Sequence, residues 1–181
     1  MSGRTAHEAV ERYLDPIRDA LGCLDAAAHI DRSGGYTVHQ DGAWVVNGGS
    51  GIKLPGVGTF QVRQQFRVVE CDPDRHDVTE GHFRITTLAY DYELGDQDGG
   101  WRWKIHWHPT GKSAATYPHI HLPRHPGHRA TPRMLVEHAV RWANNDGAKM
   151  RRDDWEDVLA QSETNHIRDR SWSSIPRPPA E

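Results

Sequence analysis

Apolar and polar side chains alternate without a break over residues 101–108, and this alternation is the clearest pattern in the chain. One row contains Trp101, Trp103, Ile105 and Trp107, and the other contains Arg102, Lys104, His106 and His108. Successive side chains of a β-strand point to opposite faces of its sheet. The segment is therefore predicted to form a strand with an apolar face toward the core and a basic, histidine-bearing face on the other side.

The residues before this strand show first a helical and then an extended pattern. Apolar residues recur at three- and four-residue steps over 5–23, which predicts an amphipathic helix that Pro16 should kink or divide. Short extended runs, broken by turn residues, then follow at 29–32, 36–39, 43–46, 59–71 and 81–94. Asp41-Gly42 has the composition of a hairpin turn between two of these runs.

Three further features complete the predicted order of elements. The glycine-rich residues 47–58 indicate a loop. The apolar positions of run 81–94 change parity along its length, which predicts a β-bulge near Thr86 and Thr87. After the histidine strands, Thr131 is a suitable N-cap for one helix, and Asp153 or Asp154 can begin another.

This order of elements defines the fold class. We predict an α+β domain with an N-terminal helix, a mostly antiparallel sheet of about six strands arranged as a meander, and C-terminal helices packed with the first helix on one face. The domain should span residues 1–170. Residues 171–181 contain three prolines and are predicted to form a Pro-rich C-terminal tail.

Charge is distributed unevenly along the chain. The formal net charge is −3, yet residues 100–136 contain no Asp or Glu and carry six Lys or Arg and six His. A local positive field can therefore coexist with a mildly acidic total. No apolar run approaches the length of a membrane span, and the N-terminal residues lack the apolar core of a secretory signal. These two features predict a cytoplasmic protein with no membrane partner.

The acid-free segment contains two His-x-His pairs, His106 with His108 and His119 with His121. If both lie on strands, each pair presents two imidazoles on one face. That face is then predicted to collect Arg63, Arg67, Arg102, Lys104, His106, His108, His119 and His121. The simplest interpretation is the solvated side of an amphipathic sheet, and two more specific interpretations compete with it.

The first specific interpretation is a metal site. Paired histidines on neighbouring strands can place three or four imidazoles around a divalent transition metal such as zinc. Here His106, His108, His119 and His121 would be the ligands. Two observations speak against it: the segment offers no carboxylate to orient the rings, and Lys104 and Lys112 would repel a cation.

The second interpretation is cleavage or binding of RNA without a metal. His106, with His119 or His121, would act as general acid and base, and His108 would support them. Arg102 and Lys104 would bind phosphate, together with Arg63 and Arg67 on the same face. Lys112 and Tyr117 would lie on a mobile loop over the site. This chemistry requires no cofactor.

A family resemblance supports the RNA interpretation. The order Tyr90-Asp91-Tyr92, then HWHP at 106–109, then YPHIHLP at 117–123 and a Leu- and Val-containing helix resembles the TumE-like toxins of prokaryotic toxin–antitoxin systems, over 88–145. The resemblance implies a cytosolic toxin that acts on RNA and is neutralised by a cognate antitoxin protein. A third possibility is a non-catalytic subunit of a protein complex.

Overall fold

A computed structural model of the chain describes residues 2–74, 76, 78–110 and 114–168. Lys112 and the predicted Pro-rich tail, 171–181, lie outside the described residues. The helices are α1 (Ala6–Gly22), α2 (Val136–Asn145) and α3 (Trp155–Arg168). The strands are β1 (Ile30–Gly34), β2 (Asp41–Val46), β3 (Ile52–Leu54), β4 (Gly58–Glu70), β5 (Phe83–Gly95), β6 (Trp101–Trp107), β7 (His119–Leu122) and β8 (His125–Ala130).

The strands form one antiparallel sheet in the order β1-β2-β4-β5-β6-β7-β8, and β3 pairs with β4 beside β2. Successive strands are therefore neighbours almost throughout, which confirms the α+β class and the meander. The sheet contains eight strands among the described residues, rather than about six. Two short strands account for the difference: β3 lies within the glycine-rich segment that predicted only a loop, and β8 forms the exposed outer edge next to β7.

The core lies between one face of the sheet and the helices. Trp103, Ile105 and Trp107 of β6 are buried, whereas the residues between them are only partly buried, so the predicted alternation holds. Helix α1 packs its apolar side onto this face. The helix is continuous through Pro16, so this proline does not divide it. Thr5 caps the helix, because its hydroxyl accepts a hydrogen bond from the Glu8 backbone N–H at 3.1 Å.

Two predicted local structures differ from the observed ones. Residues 36–39 do not form a strand of their own; Val38 makes only an isolated bridge to Val68. Asp41-Gly42 is not a turn, because both residues already belong to β2. A Cβ atom on Gly42 would lie 2.7 Å from the Phe66 ring, so the missing side chain serves close packing rather than a turn.

The other local predictions are partly confirmed. Gln65 pairs with Ala89 and Phe66 with Thr87, so Leu88 is the extra residue of a bulge close to the predicted position. Helix α2 begins at Val136, several residues after the predicted cap at Thr131. A tertiary contact explains this later start of the helix. The Thr131 backbone N–H donates to the Pro118 carbonyl at 2.8 Å, so Thr131 continues the contact with the sheet and does not cap a helix. No helix of the described residues is long and apolar enough to cross a membrane.

Candidate functional site

The face of the sheet opposite the helices carries both His-x-His pairs. Register places His106 of β6 directly between Asp91 of β5 and His119 of β7. In the next row, Lys104 lies between Glu93 and His121. Side chains opposite each other on neighbouring strands have Cβ atoms about 5 Å apart. A meander of adjacent strands therefore brings six chemically active side chains from three strands into one patch.

The imidazoles converge on this patch. The ring centroids of His106 and His121 are 5.3 Å apart, those of His106 and His119 5.8 Å, and those of His119 and His121 5.0 Å. One ligand nitrogen from each of these three residues lies within 4.8 Å of the others. His108 is near His106 at 5.6 Å, and His128 of β8 is near His119 at 4.6 Å. Both His-x-His pairs thus face the same volume.

The fold fixes the orientation of the His119 ring. His119 is 2 % exposed, and its Nδ1 lies 2.8 Å from the backbone carbonyl oxygen of Tyr117. A carbonyl oxygen only accepts hydrogen bonds, so Nδ1 carries the proton. In the neutral ring, Nε2 then keeps its lone pair. The same arrangement orients histidine ligands at metal sites, where the distal ring N–H bonds to a backbone carbonyl or carboxylate.

The environment favours the neutral form of the central imidazoles. Burial lowers the pKa of His106 to about 4; the Asp91 carboxylate opposes this shift, and the neighbouring imidazoles reinforce it. Burial also lowers the pKa of His119 and of His121, and His128 contributes to both shifts. Neutral imidazoles are the form that binds a metal ion and the form that accepts a proton.

A carboxylate stands at the edge of the histidine cluster, although the sequence interpretation expected none. Asp91 Oδ1 lies 2.7 Å from His108 Nε2 and 3.8 Å from His106 Nε2. The other oxygen, Oδ2, accepts a hydrogen bond from Arg63 Nε at 2.8 Å. The objection that no carboxylate is available to orient the imidazoles is therefore wrong, because the neighbouring strand β5 supplies one.

The cations on this face are paired, which corrects the expectation of a basic surface. Lys104 Nζ lies 2.8 Å from Glu93 Oε1, and Arg67 Nε donates to Asp41 Oδ1 at 2.6 Å. Arg102 lies toward the end of α2, where its guanidinium donates to the Asp146 carbonyl at 3.1 Å. Together with the Arg63–Asp91 pair, these contacts compensate the positive charge that the acid-free segment suggests.

The predicted site residues divide into three groups. His106, His108, His119, His121, Lys104 and Arg63 lie together in the patch, and Tyr117 adjoins it with its ring 5.9 Å from that of His119. Arg67 lies four residues further along β4, roughly 13 Å from Arg63, and Arg102 contacts Asp146 instead. Lys112 is outside the described residues. The interpretation missed Asp91, Glu93 and His128.

Comparisons with known proteins find no matching family model, no matching curated protein and no matching solved structure. The resemblance to the TumE-like toxins therefore stays a prediction.

Proposed function

We propose that the protein is a histidine-ligated metalloenzyme whose central ligands are His106, His119 and His121. The observation that carries this proposal is the convergence of their ligand nitrogens within 4.8 Å of one another on two adjacent strands. Register supports it, because His106 and His119 are a direct cross-strand pair and His121 follows on the same face. Such a cluster is a set of preformed donors, which a merely solvated sheet face does not require.

The donor set favours zinc or a similar divalent transition metal. Imidazole nitrogens are ligands for zinc, copper, iron and nickel, whereas magnesium and calcium prefer oxygen. Three protein ligands leave a fourth position of a tetrahedral ion for water or substrate, which is the arrangement of catalytic zinc sites. A metal so bound activates water as a nucleophile near neutral pH.

The surrounding residues are suited to support this chemistry. The Tyr117 carbonyl fixes the tautomer of His119 and leaves Nε2 available. Asp91 Oδ1 lies 2.7 Å from His108 Nε2, and the His108 ring is 5.6 Å from that of His106, so this polar pair borders the cluster. Glu93 holds Lys104 at 2.8 Å, which neutralises the charge that would otherwise repel a cation.

Metal analysis of untagged protein tests the proposal. After equilibrium dialysis against zinc and removal of loosely bound metal, we expect elemental analysis to find at least one zinc ion per chain. His119→Ala and His121→Ala should each remove one equivalent, or weaken its binding more than about 100-fold, since even indirect loss of ligand support reduces affinity 10- to 100-fold. His125→Ala, in the exposed strand β8, is the matched control and should bind zinc like the wild type. Zinc below one equivalent in the folded wild type would refute the proposal.

A second candidate function is metal-independent cleavage of RNA by a toxin. One observation favours it: neutral imidazoles adjoin Lys104 and Arg63 on one face, which is a possible acid, base and phosphate-binding set. His106 with His119 or His121 would transfer protons, and Arg102, Lys112 and Tyr117 would bind the substrate. The carboxylate partners of Lys104, Arg63 and Arg102 count against it, because RNA would have to displace them.

Cleavage assays in a chelator distinguish the two candidates. If the RNA hypothesis holds, purified protein cleaves single-stranded RNA in excess EDTA, and His106→Ala lowers the rate at least 100-fold, as expected for loss of a general acid or base. His125→Ala should cleave like the wild type. If the metal hypothesis holds, any hydrolysis stops in EDTA and returns with zinc. Co-purification with the product of a neighbouring gene would support the antitoxin partner.

A further inference from the structure

A second group of metal-ligating side chains lies on the opposite side of His106. Asp91, His106 and His108 each offer a ligand atom, and these atoms lie within 4.8 Å of one another. The side chains of Asp91, His106 and His108 are 21 %, 22 % and 33 % exposed, so they line an accessible surface and are not sealed in the core. The group shares only His106 with the cluster formed by His106, His119 and His121.

We propose that the site binds two divalent transition metal ions, one in each group, with His106 as the ligand common to both. This inference rests on the proposed function, because it assumes that the first group binds a metal. The register explains the sharing: His106 is in the middle strand, with Asp91 on one side and His119 on the other. Its Nε2 is 3.8 Å from Asp91 Oδ1. We therefore assign this nitrogen to the second group and the other ring nitrogen, Nδ1, to the first.

The second group has its own chemical character. It contains two imidazoles and one carboxylate, a donor set that suits zinc, iron, cobalt and manganese. The carboxylate oxygens have separate tasks, since Oδ1 faces His106 and His108 while Oδ2 accepts the hydrogen bonds of Arg63. Arg63 therefore orients Asp91 as an outer partner of a ligand does. The negative charge of Asp91 also reduces the repulsion that a second cation experiences beside the first.

Binding of the second ion changes the protonation of His106. A neutral imidazole has one nitrogen lone pair, and its other nitrogen carries a proton. Two metal bonds require both nitrogens, so the N–H proton passes to solvent and the ring becomes a bridging imidazolate. Two ions joined through one imidazole are electronically coupled. This coupling gives a spectroscopic signature that two independent sites would not produce.

Counting bound metal in matched variants tests the proposal. After dialysis against zinc, we expect two ions per chain in the wild type and one in Asp91→Asn or His108→Ala. His119→Ala should also retain one, held by the second group, and His106→Ala should retain neither. Asp41→Asn is the matched control, because Asp41 also pairs with an arginine of β4, Arg67, but belongs to neither group; it should retain both.

Copper loading supplies the second readout. The wild type with two Cu²⁺ ions should give an electron paramagnetic resonance signal far weaker than its copper content, and Asp91→Asn should give the full signal of its single ion. A wild type that binds one zinc ion, lost in His119→Ala, overturns this inference and leaves the proposed function intact. A wild type that binds none overturns both. If Asp91→Asn still binds two zinc ions, or if the copper-loaded wild type gives the full signal of two ions, the proposal that His106 is a shared ligand is wrong.

Discussion

Replacement of Glu137 by alanine is expected to reduce the free energy of unfolding by about 3–5 kcal/mol, as the loss of one partner of a buried charged group does. Glu137, in the first turn of α2, is 0 % exposed. Its Oε1 lies 2.8 Å from His166 Nδ1 and accepts a hydrogen bond from the Ser162 hydroxyl. Burial raises the pKa of this carboxyl, but His166 and Ser162 outweigh burial and hold the pKa below its ordinary value. The variant leaves both partners on α3 without their acceptor.

Glu163→Ala is the matched control for this prediction. Glu163 is also a glutamate beside a histidine, with Oε1 2.8 Å from His138 Nε2 and Oε2 2.8 Å from Arg141 Nη1, but these side chains are a quarter or so exposed. Partly solvated ion pairs contribute about 0–1 kcal/mol. Urea denaturation of both variants measures the difference. Equal losses for Glu137→Ala and Glu163→Ala would show that the buried carboxylate does not tie α2 to α3.

Strand β6 was predictable because its pattern has a single physical cause. Tryptophan and isoleucine occupy every second position and are removed from water on one face of the strand. The arginine, lysine and histidines between them then share the other face. The position of His119 and His121 follows from the same period in β7. The proximity of the two pairs needed one further condition, namely that β6 and β7 are neighbours, and their antiparallel pairing satisfies it.

Asp91 and Glu93 were missed because charge was counted along the chain and not across the sheet. The acid-free segment begins only after the end of β5, yet β5 lies about 4.7–4.9 Å from β6, as paired strands do. A signal was present: Tyr90 and Tyr92 are apolar in character, so the aspartate between them must point to the opposite face. Parity within the Tyr-Asp-Tyr motif could have placed Asp91 beside His106, whereas the exact partner required the register.

The errors in local structure have tertiary causes. Thr131 has the chemistry of an N-cap, but its backbone N–H pairs with Pro118 and the Met134 N–H donates to the Tyr90 hydroxyl at 2.9 Å. These contacts hold 131–135 against the sheet and delay α2. Asp41-Gly42 has turn composition, yet the glycine is needed where Phe66 approaches. In each case a long-range contact decides between conformations that the local sequence permits.

The paired cations change the balance between the two functional candidates. A phosphate-binding surface gains from unpaired arginines and lysines, and its affinity for RNA depends on them. Here Arg63 and Lys104, which lie in the patch with the imidazoles, each contact a carboxylate of β5. For a metal site the same contacts are favourable, because they reduce the positive potential around the ligands and orient Asp91. The ion pairs of Arg63 and Lys104 therefore favour a metal-binding site over a phosphodiester-binding site.

Gln64→Ala is expected to reduce the free energy of unfolding by about 2–6 kcal/mol, because it leaves two buried hydroxyls short of a partner at about 1–3 kcal/mol each. Gln64 lies on the core face of β4 and is 5 % exposed. Its Oε1 accepts a hydrogen bond from the Tyr13 hydroxyl of α1, and its Nε2 donates to the Tyr92 hydroxyl of β5. The side chain thus joins the helix to the strand that carries Asp91.

The next residue along the strand provides a control in the same local backbone. Gln65 points to the opposite, exposed face, so Gln65→Ala should change stability by less than about 0.5 kcal/mol. Both variants lose the same amide side chain, so a difference in their free energies of unfolding, measured by chemical denaturation, reports the effect of burial. Zinc content per folded chain should be unchanged in both, because neither glutamine belongs to the ligand groups. If Gln64→Ala were as stable as Gln65→Ala, the Tyr13–Gln64–Tyr92 chain would not stabilise the core beneath the site, and the rigidity of that face would have to come from the apolar packing of α1 alone.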